Sequence, residues 1–179
     1  MLRAHDLLVL FRLALSDESW TYASLADELG MNVSDVHGAV RRAEKSGLIG
    51  ASSSEAPRTG GRPRAQLKVN RSALLELTLH GLRYVYPAEH GPITRGTATS
   101  HSAAPLNALL AGADQAPLVW PDPEGTLRGE SIEPLGKSAP AAARRNPALH
   151  EVLALVDALR VGRARERKLA AELLRERLA

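Results

Sequence analysis

Between Ser34 and Lys45 the side chains are ordered by size and charge: Ser34 and Gly38 are small, His37 is polar, and Arg41, Arg42 and Lys45 are cations. If this segment is helical, Ser34, Gly38, Arg41 and Lys45 lie along one outer stripe. Short groups near a helix N-terminus permit close approach to a DNA major groove, and long cations further along reach base edges or phosphates. A second set comprises Arg58, Arg62, Arg64 and Lys68, with no acidic residue between them. Four positive charges on one stretch suit phosphate contact. Within it, Gly61 and Pro63 hold the backbone narrow around Arg62, the shape needed for insertion into a minor groove.

Other chemistry is sparse. Thr94, Arg95, Thr97, Thr99, Ser100, His101 and Ser102 gather hydroxyls beside a histidine. Hydroxyl-rich loops usually satisfy their own backbone, and no glycine-rich fingerprint precedes a helix here. The histidines at 5, 37, 80, 90, 101 and 150 form no i, i+4 pair that would suggest a metal site. His37 reads as groove-facing, and His80, beside Gly81, as a partner for the end of its helix. The chain has no cysteine, which excludes disulfides, thiolate metal sites and a cysteine nucleophile. The expectation is a chain with no catalytic residues, metal or cofactor, and not an enzyme.

The elements that must position the cations are legible from Thr21 to Ile49, TYASLADELGMNVSDVHGAVRRAEKSGLI. Leu25, Ala26 and Leu29 give a first helix its apolar stripe, and Gly30 supplies the permissive backbone that ends it. Asn32 is a good N-cap for the second helix, with Asp35 able to reach back in a variant capping box and to meet the positive helix end. Val36, Val40 and Ala43 recur at helical spacing and point inward. Gly47 stops the helix. A strand from Leu48 to Ser52 and a second, AQLKVN, then enclose the basic Gly/Pro-rich segment as a hairpin, or wing. Ahead of all this, Leu7, Leu8, Phe11, Ala14 and Leu15 mark an N-terminal amphipathic helix packed on the two motif helices.

Residues 5–70 resemble the winged helix-turn-helix domain of bacterial transcriptional regulators such as the MarR and ArsR families, in the stretches SLADELGMN, VRRAEKSGLI and TGGRPRAQLKV. The resemblance implies that the second motif helix reads the major groove through Ser34, His37, Gly38, Arg41 and Arg42, with Lys45 toward the backbone and Arg62 in the wing position. It departs at Gly38, where such regulators more often carry a larger polar residue, and at Ala43, where a larger aliphatic is common. The segments RYVYPAEHGPITRG and VDALRVGRARERKLA are similar to winged-helix proteins encoded beside toxin-like nucleotidyltransferases.

The chain of 179 residues bounds the answer to one or two domains, with a formal charge of +3 and a predicted pI near 9.6. Charge is segregated: the wing is cationic, whereas Asp114, Asp122, Glu124, Glu130 and Glu133 make the middle acidic. Asn70 can cap a helix bearing Leu74, Leu75, Leu77 and Leu79 that ends near Gly81, followed by LRYVYP as a short buried strand or turn. Eight of the eleven prolines lie from Pro87 to Pro140, which argues against a long helix or a central strand there. Its large apolar residues favour an ordered wrap over the wing domain or a dimer partner. From Pro147 a helix carries Leu149, Val152, Val156 and Leu159, and after Gly162 the stripe continues as Leu169, Ala170, Leu173, Leu174 and Leu178, either as a second helix or past a kink.

The fold expected is mainly α with a small β-hairpin wing: residues 1–82 a winged helix-turn-helix, 83–146 a proline-rich, loop-dominated segment, and 147–179 C-terminal helices. The leucines of the last region exceed what a small wing domain can cover, so they are expected to join two subunits or a partner protein. The function expected is sequence-specific binding of double-stranded DNA by a transcriptional regulator acting as a homodimer. The alternative is an antitoxin-like interaction protein whose winged helix autoregulates its operon while the rest binds a partner protein. RNA binding is disfavoured, because no aromatic platform accompanies the basic surface. The first twenty residues are interrupted by Asp6 and Arg12 and lack a cleavage site, so they read as a folded helix rather than a signal peptide. No membrane span is expected, and a cytoplasmic location follows as the expectation.

Overall fold

Helix α1 (Ala4–Ala14) is buried continuously from Asp6 to Ala14, a wider burial than the stripe of an ordinary surface helix. The cause is its position. In the computed structural model, which describes residues 1–16, 18, 20–50, 68–110 and 115–178, α1 packs against α3 (Val33–Lys45) on one side and α8 (Pro147–Val161) on the other. Val9, Leu10 and Leu13 are therefore enclosed together with the expected Leu7, Leu8, Phe11 and Ala14.

Helix α2 (Tyr22–Leu29) starts on a reciprocal cap: Ser24 N donates to Thr21 Oγ1 at 3.0 Å and Thr21 N to Ser24 Oγ at 3.1 Å. It ends at Gly30, whose φ of 62° is left-handed. Helix α3 has Asn32 at its N-cap as expected, but the asparagine does not cap the backbone; its Nδ2 donates to Asp35 Oδ2 at 3.2 Å. Val36, Val40 and Ala43 point inward, joined by Ala39. Gly47, at φ 72°, closes α3 in a Schellman turn, with Leu48 N bonded to Ala43 O at 2.9 Å and Gly47 N to Glu44 O at 3.0 Å. Strands β1 (Ile49–Gly50) and β2 (Lys68–Val69) then pair antiparallel. The N-terminal region is thus a helix-turn-helix-like arrangement followed by a short β-hairpin, whose intervening residues 51–67 lie outside those described.

Asn70 caps α4 (Arg71–Glu76) through Ala73 N. The chain does not stop at Gly81: a wide helical turn (Leu77–Gly81) passes into α5 (Leu82–Val85). Where a short buried strand or turn is expected for LRYVYP, residues 82–85 are helical, with Tyr84 and Val85 exposed and only Leu82 fully buried.

The middle segment is more regular than its prolines suggest. Strands β3 (His90–Ala98), β4 (Leu118–Pro121) and β5 (Leu127–Ile132) close into a ring in which each pairs with the other two. The expectation that no central strand fits here is corrected. β3 is that strand, and its Pro92 sits where the register shifts between Gly91 and Ile93, so the missing N–H breaks no regular ladder. Gly96 faces Pro121 on one neighbour and Leu127 on the other. A Cβ on Gly96 would lie 2.0 Å from the Trp120 carbonyl oxygen, and one on Gly125 would lie 2.0 Å from the Gly96 carbonyl carbon. Only glycine lets three backbones meet this closely. Between β3 and β4 lie a 3₁₀ turn (Ser100–Ser102) and α6 (Leu106–Leu109).

Helix α7 (Ala139–Arg145) leads into α8, which Pro147 opens at N1 with Asn146 as cap, its Oδ1 accepting from Leu149 N at 3.0 Å. Gly162 separates α8 from α9 (Ala164–Leu178), so the two-helix alternative holds. Helix α8 is buried all round from Val152 to Leu159, and α9 buries Ala170, Leu174 and Leu178 against the same chain. Of the leucines expected to need a second subunit, Leu149, Leu159, Leu174 and Leu178 are buried within the chain, while Leu169 and Leu173 are partly exposed. Buried side chains from residues 1–82, 83–146 and 147–178 join one apolar cluster. Among the described residues, no helix is long and apolar enough to cross a membrane.

Candidate nucleic-acid interface

The inward face of α3 is fixed by Val36, Ala39, Val40 and Ala43, so its opposite face is determined. Asn32, Ser34, His37, Arg41 and Lys45 are all exposed there. Among the described residues, neither Arg41 nor Lys45 makes a hydrogen bond or an ion pair. The order of small group first and cation later survives folding.

Arg42 is placed differently. Its Nε donates to Asp6 Oδ2 and its Nη2 to Asp6 Oδ1, both at 2.7 Å. This bidentate pair ties α3 to α1, and the Asp6 side chain is fully buried. Burial pushes the Asp6 carboxyl up, but bonds from Arg42 and from the Arg3 amide, with the charge of Arg42, hold it below its ordinary range. Asp6 in turn raises the Arg42 guanidinium. Gly38 acquires a structural purpose from this geometry: a Cβ there would lie 3.0 Å from Arg42 Nη1, across the path by which the arginine reaches Asp6.

His37 is exposed yet packs edge-on against Tyr22, with ring centroids 5.2 Å apart. Tyr22, the first residue of α2, thereby joins the outward face of the motif. Burial raises its hydroxyl pKa, Glu44 adds to the rise, and Arg41 opposes it. Sequence reading missed Tyr22; its signal was the position directly after the Thr21 cap, where a helix N-terminus faces outward.

The turn between α2 and α3 is clamped from the far end of the sequence. Arg145 Nη1 donates to the carbonyls of Asp27 at 2.7 Å and Glu28 at 3.3 Å, adding at Asp27 to the bond from Gly30 N. Asn146 Nδ2 and Arg12 Nε both donate to Glu28 Oε1, at 3.1 and 2.5 Å. A cleft of about 780 Å³ opens beside this joint, lined by His5, Met31, Asn32, Tyr86 and Lys137 among others.

Behind the motif, Asp157 joins α8 to the strand ring. Its Oδ2 accepts from Thr99 Oγ1 at 2.8 Å and Trp120 Nε1 at 2.6 Å, and its Oδ1 from Arg160 Nη1 at 2.6 Å. Burial pushes this carboxyl up against the pull of Arg160, Thr99 and Trp120. Arg160 also donates to the carbonyls of Tyr86 and Glu133.

The hydroxyl-rich segment is largely consumed by such contacts. Thr97 donates to Asp122, Thr99 to Asp157, and Ser102 Oγ accepts from Leu118 N. Ser100 Oγ and His101 Nδ1 are buried without a partner. Among the described residues, no three His, Asp or Glu side chains gather to hold a metal ion. His80 is exposed in the wide helical turn. Arg58, Arg62 and Arg64, the wing cations, fall in 51–67 and lie outside the described residues, while Lys68 stands exposed on β2. Compared with protein families, with characterised proteins and with solved structures, the chain matches none.

Proposed function

We propose that this chain is a DNA-binding transcriptional regulator, a winged helix-turn-helix protein of MarR/ArsR-like organisation, that lays α3 in the major groove. The observation that carries the reading is the outward face of α3, where Arg41 and Lys45 stand exposed and unpaired behind Ser34. The inward face of the same helix and its brace, Arg42 on Asp6, hold that surface in place. In this reading Arg41 meets a base edge, Lys45 a phosphate, and Arg62 an adjacent minor groove. The bracing role of Arg42 removes it from the set that reads bases. No catalytic step, metal or cofactor enters the proposal.

Anisotropy titration of labelled duplex DNA tests it, using a duplex recovered by selection from a random pool. Affinity should fall steeply with salt as counterions are released, and one sequence should be enriched. Absence of duplex binding at low salt overturns the proposal.

A further inference from the structure

Strands β3 and β5 pair antiparallel with Arg95 directly opposite Arg128. Directly opposed residues project from the same face, with Cα atoms about 4.5–5.5 Å apart, so two guanidinium groups share one patch. Like charges in this relation cost a sheet stability, and among the described residues no carboxylate pairs with either guanidinium. Both side chains are exposed, and neither makes a hydrogen bond or an ion pair among the described residues. The nearby carboxylates are engaged elsewhere. Glu130, two residues along β5, pairs with His90 at 3.1 Å, and Arg144 holds both Asp122 and Glu124.

We propose that Arg95 and Arg128 form a phosphate clamp for a second stretch of DNA backbone, outside the groove taken by α3; the inference rests on the DNA-binding reading above. Paired guanidinium forks match the oxygens of a phosphodiester. The ring of three strands fixes their spacing, since each strand is paired on both sides. Its position relative to the motif is fixed through α7, where Arg144 grips Asp122 on the ring and Arg145 grips the carbonyls that end α2. The ring is therefore held at a fixed place relative to the end of α2. An acidic protein is the other anionic ligand the pair can take. Among the exposed residues of β3 and β5, Pro92 and Ile93 are the apolar ones and none is Phe, Tyr or Trp, unlike the apolar, aromatic-rich centre of a protein interface.

The test is a salt titration of the full-length protein on the selected duplex with long flanks, comparing wild type with the double variant Arg95→Ala, Arg128→Ala. Each phosphate contact contributes about 0.9 to the slope of log affinity against log salt, so the double variant should lose about 1.8 and each single variant about 0.9. Sequence preference should remain, the footprint should shorten, and the melting temperature should hold or rise as the like-charge opposition is relieved. An unchanged slope and footprint, with wild-type binding intact, overturns the clamp and leaves the α3 reading standing. Failure of the wild type to bind any duplex overturns both. Binding of poly-L-glutamate that the double variant loses, with an unchanged DNA slope, overturns the clamp in favour of an acidic protein partner.

Discussion

Arg42 and Asp6, far apart in sequence on α3 and α1, are joined by two bonds of 2.7 Å each, with the aspartate side chain sealed from solvent. Removing one partner of a buried pair is strongly destabilising, because the other charge is stranded. Arg42→Ala should cost about 3 kcal/mol, near the lower end for such a break, since the Arg3 amide still donates to Asp6 at 2.8 Å. Urea unfolding measures it. The Asp6 carboxyl is depressed on folding, so its contribution is complete above its ordinary pKa of about 3.8 and is lost as pH falls through the lower folded value. Asp6→Asn should flatten the acid limb of stability while lowering stability at neutral pH.

Asp157 and Arg160 make a second buried pair, at 2.6 Å, with side chains 2% and 3% exposed. Asp157→Ala strands the arginine and leaves Thr99 and Trp120 without their acceptor, and should cost about 3–5 kcal/mol. Replacing both, as Asp157→Leu with Arg160→Met, should recover the part of that loss due to the stranded arginine, while Thr99 and Trp120 stay without their acceptor. Thermal melts of the two variants decide this, and equal melting temperatures would refute it.

At Gly96 a methyl group has no room, because the Trp120 carbonyl oxygen lies far inside van der Waals contact of where it must go. Gly96→Ala should destabilise by at least the 1–3 kcal/mol, roughly, of an overpacked core. The near-ultraviolet dichroism of Trp120, which lies on β4 of the ring, should change with it. A variant of wild-type stability would mean that the strands are not this close.

Arg41 and Lys45 should separate in their effects on DNA. Arg41→Ala should cost about 1–3 kcal/mol on the selected site and relax its sequence preference, while Lys45→Ala should weaken all duplexes alike and lower the salt slope by about one. Identical behaviour of the two variants on specific and random duplexes would contradict the assignment.

The burial of α8 changes what truncation does. Removal of everything after Asn146 deletes Leu149, Val152, Leu153, Leu155 and Val156 from the common core, so the product should be unfolded rather than a soluble DNA-binding monomer. Proton NMR dispersion of the truncated chain measures this. Light scattering of the full chain reads its oligomeric state separately, since α9 buries Leu174 and Leu178 within the chain while Leu169 and Leu173 stay partly exposed.

Signals acting within a few residues were legible in the sequence. Gly30 and Gly47 adopt the left-handed backbone that helix ends favour, Asn70 caps the helix that follows it and Pro147 opens the next long one, and Val36, Val40 and Ala43 point inward as their spacing requires. Such features depend on caps and periodicity, which the local order of residues encodes. The outward cations Arg41 and Lys45 follow from the same periodicity, because fixing one face of a helix fixes the other.

Contacts between distant residues were decided only by the tertiary structure. Composition marked the segment from Pro87 to Pro140 as loop, yet β3, β4 and β5 close into a ring because glycines at 96, 125 and 129 admit backbones that any side chain would hold apart. Arg42 looked like a groove reader by its place on α3, and only the arrival of Asp6 on α1 turned it into a brace. The C-terminal leucines looked surplus because the surfaces that pack on α8 and α9 belong to α1, α4, α5, α6, α7 and the 3₁₀ turn. Local sequence records which face of an element is apolar, while the identity of its partner depends on how the whole chain closes, and that sets which charges are left free for a ligand.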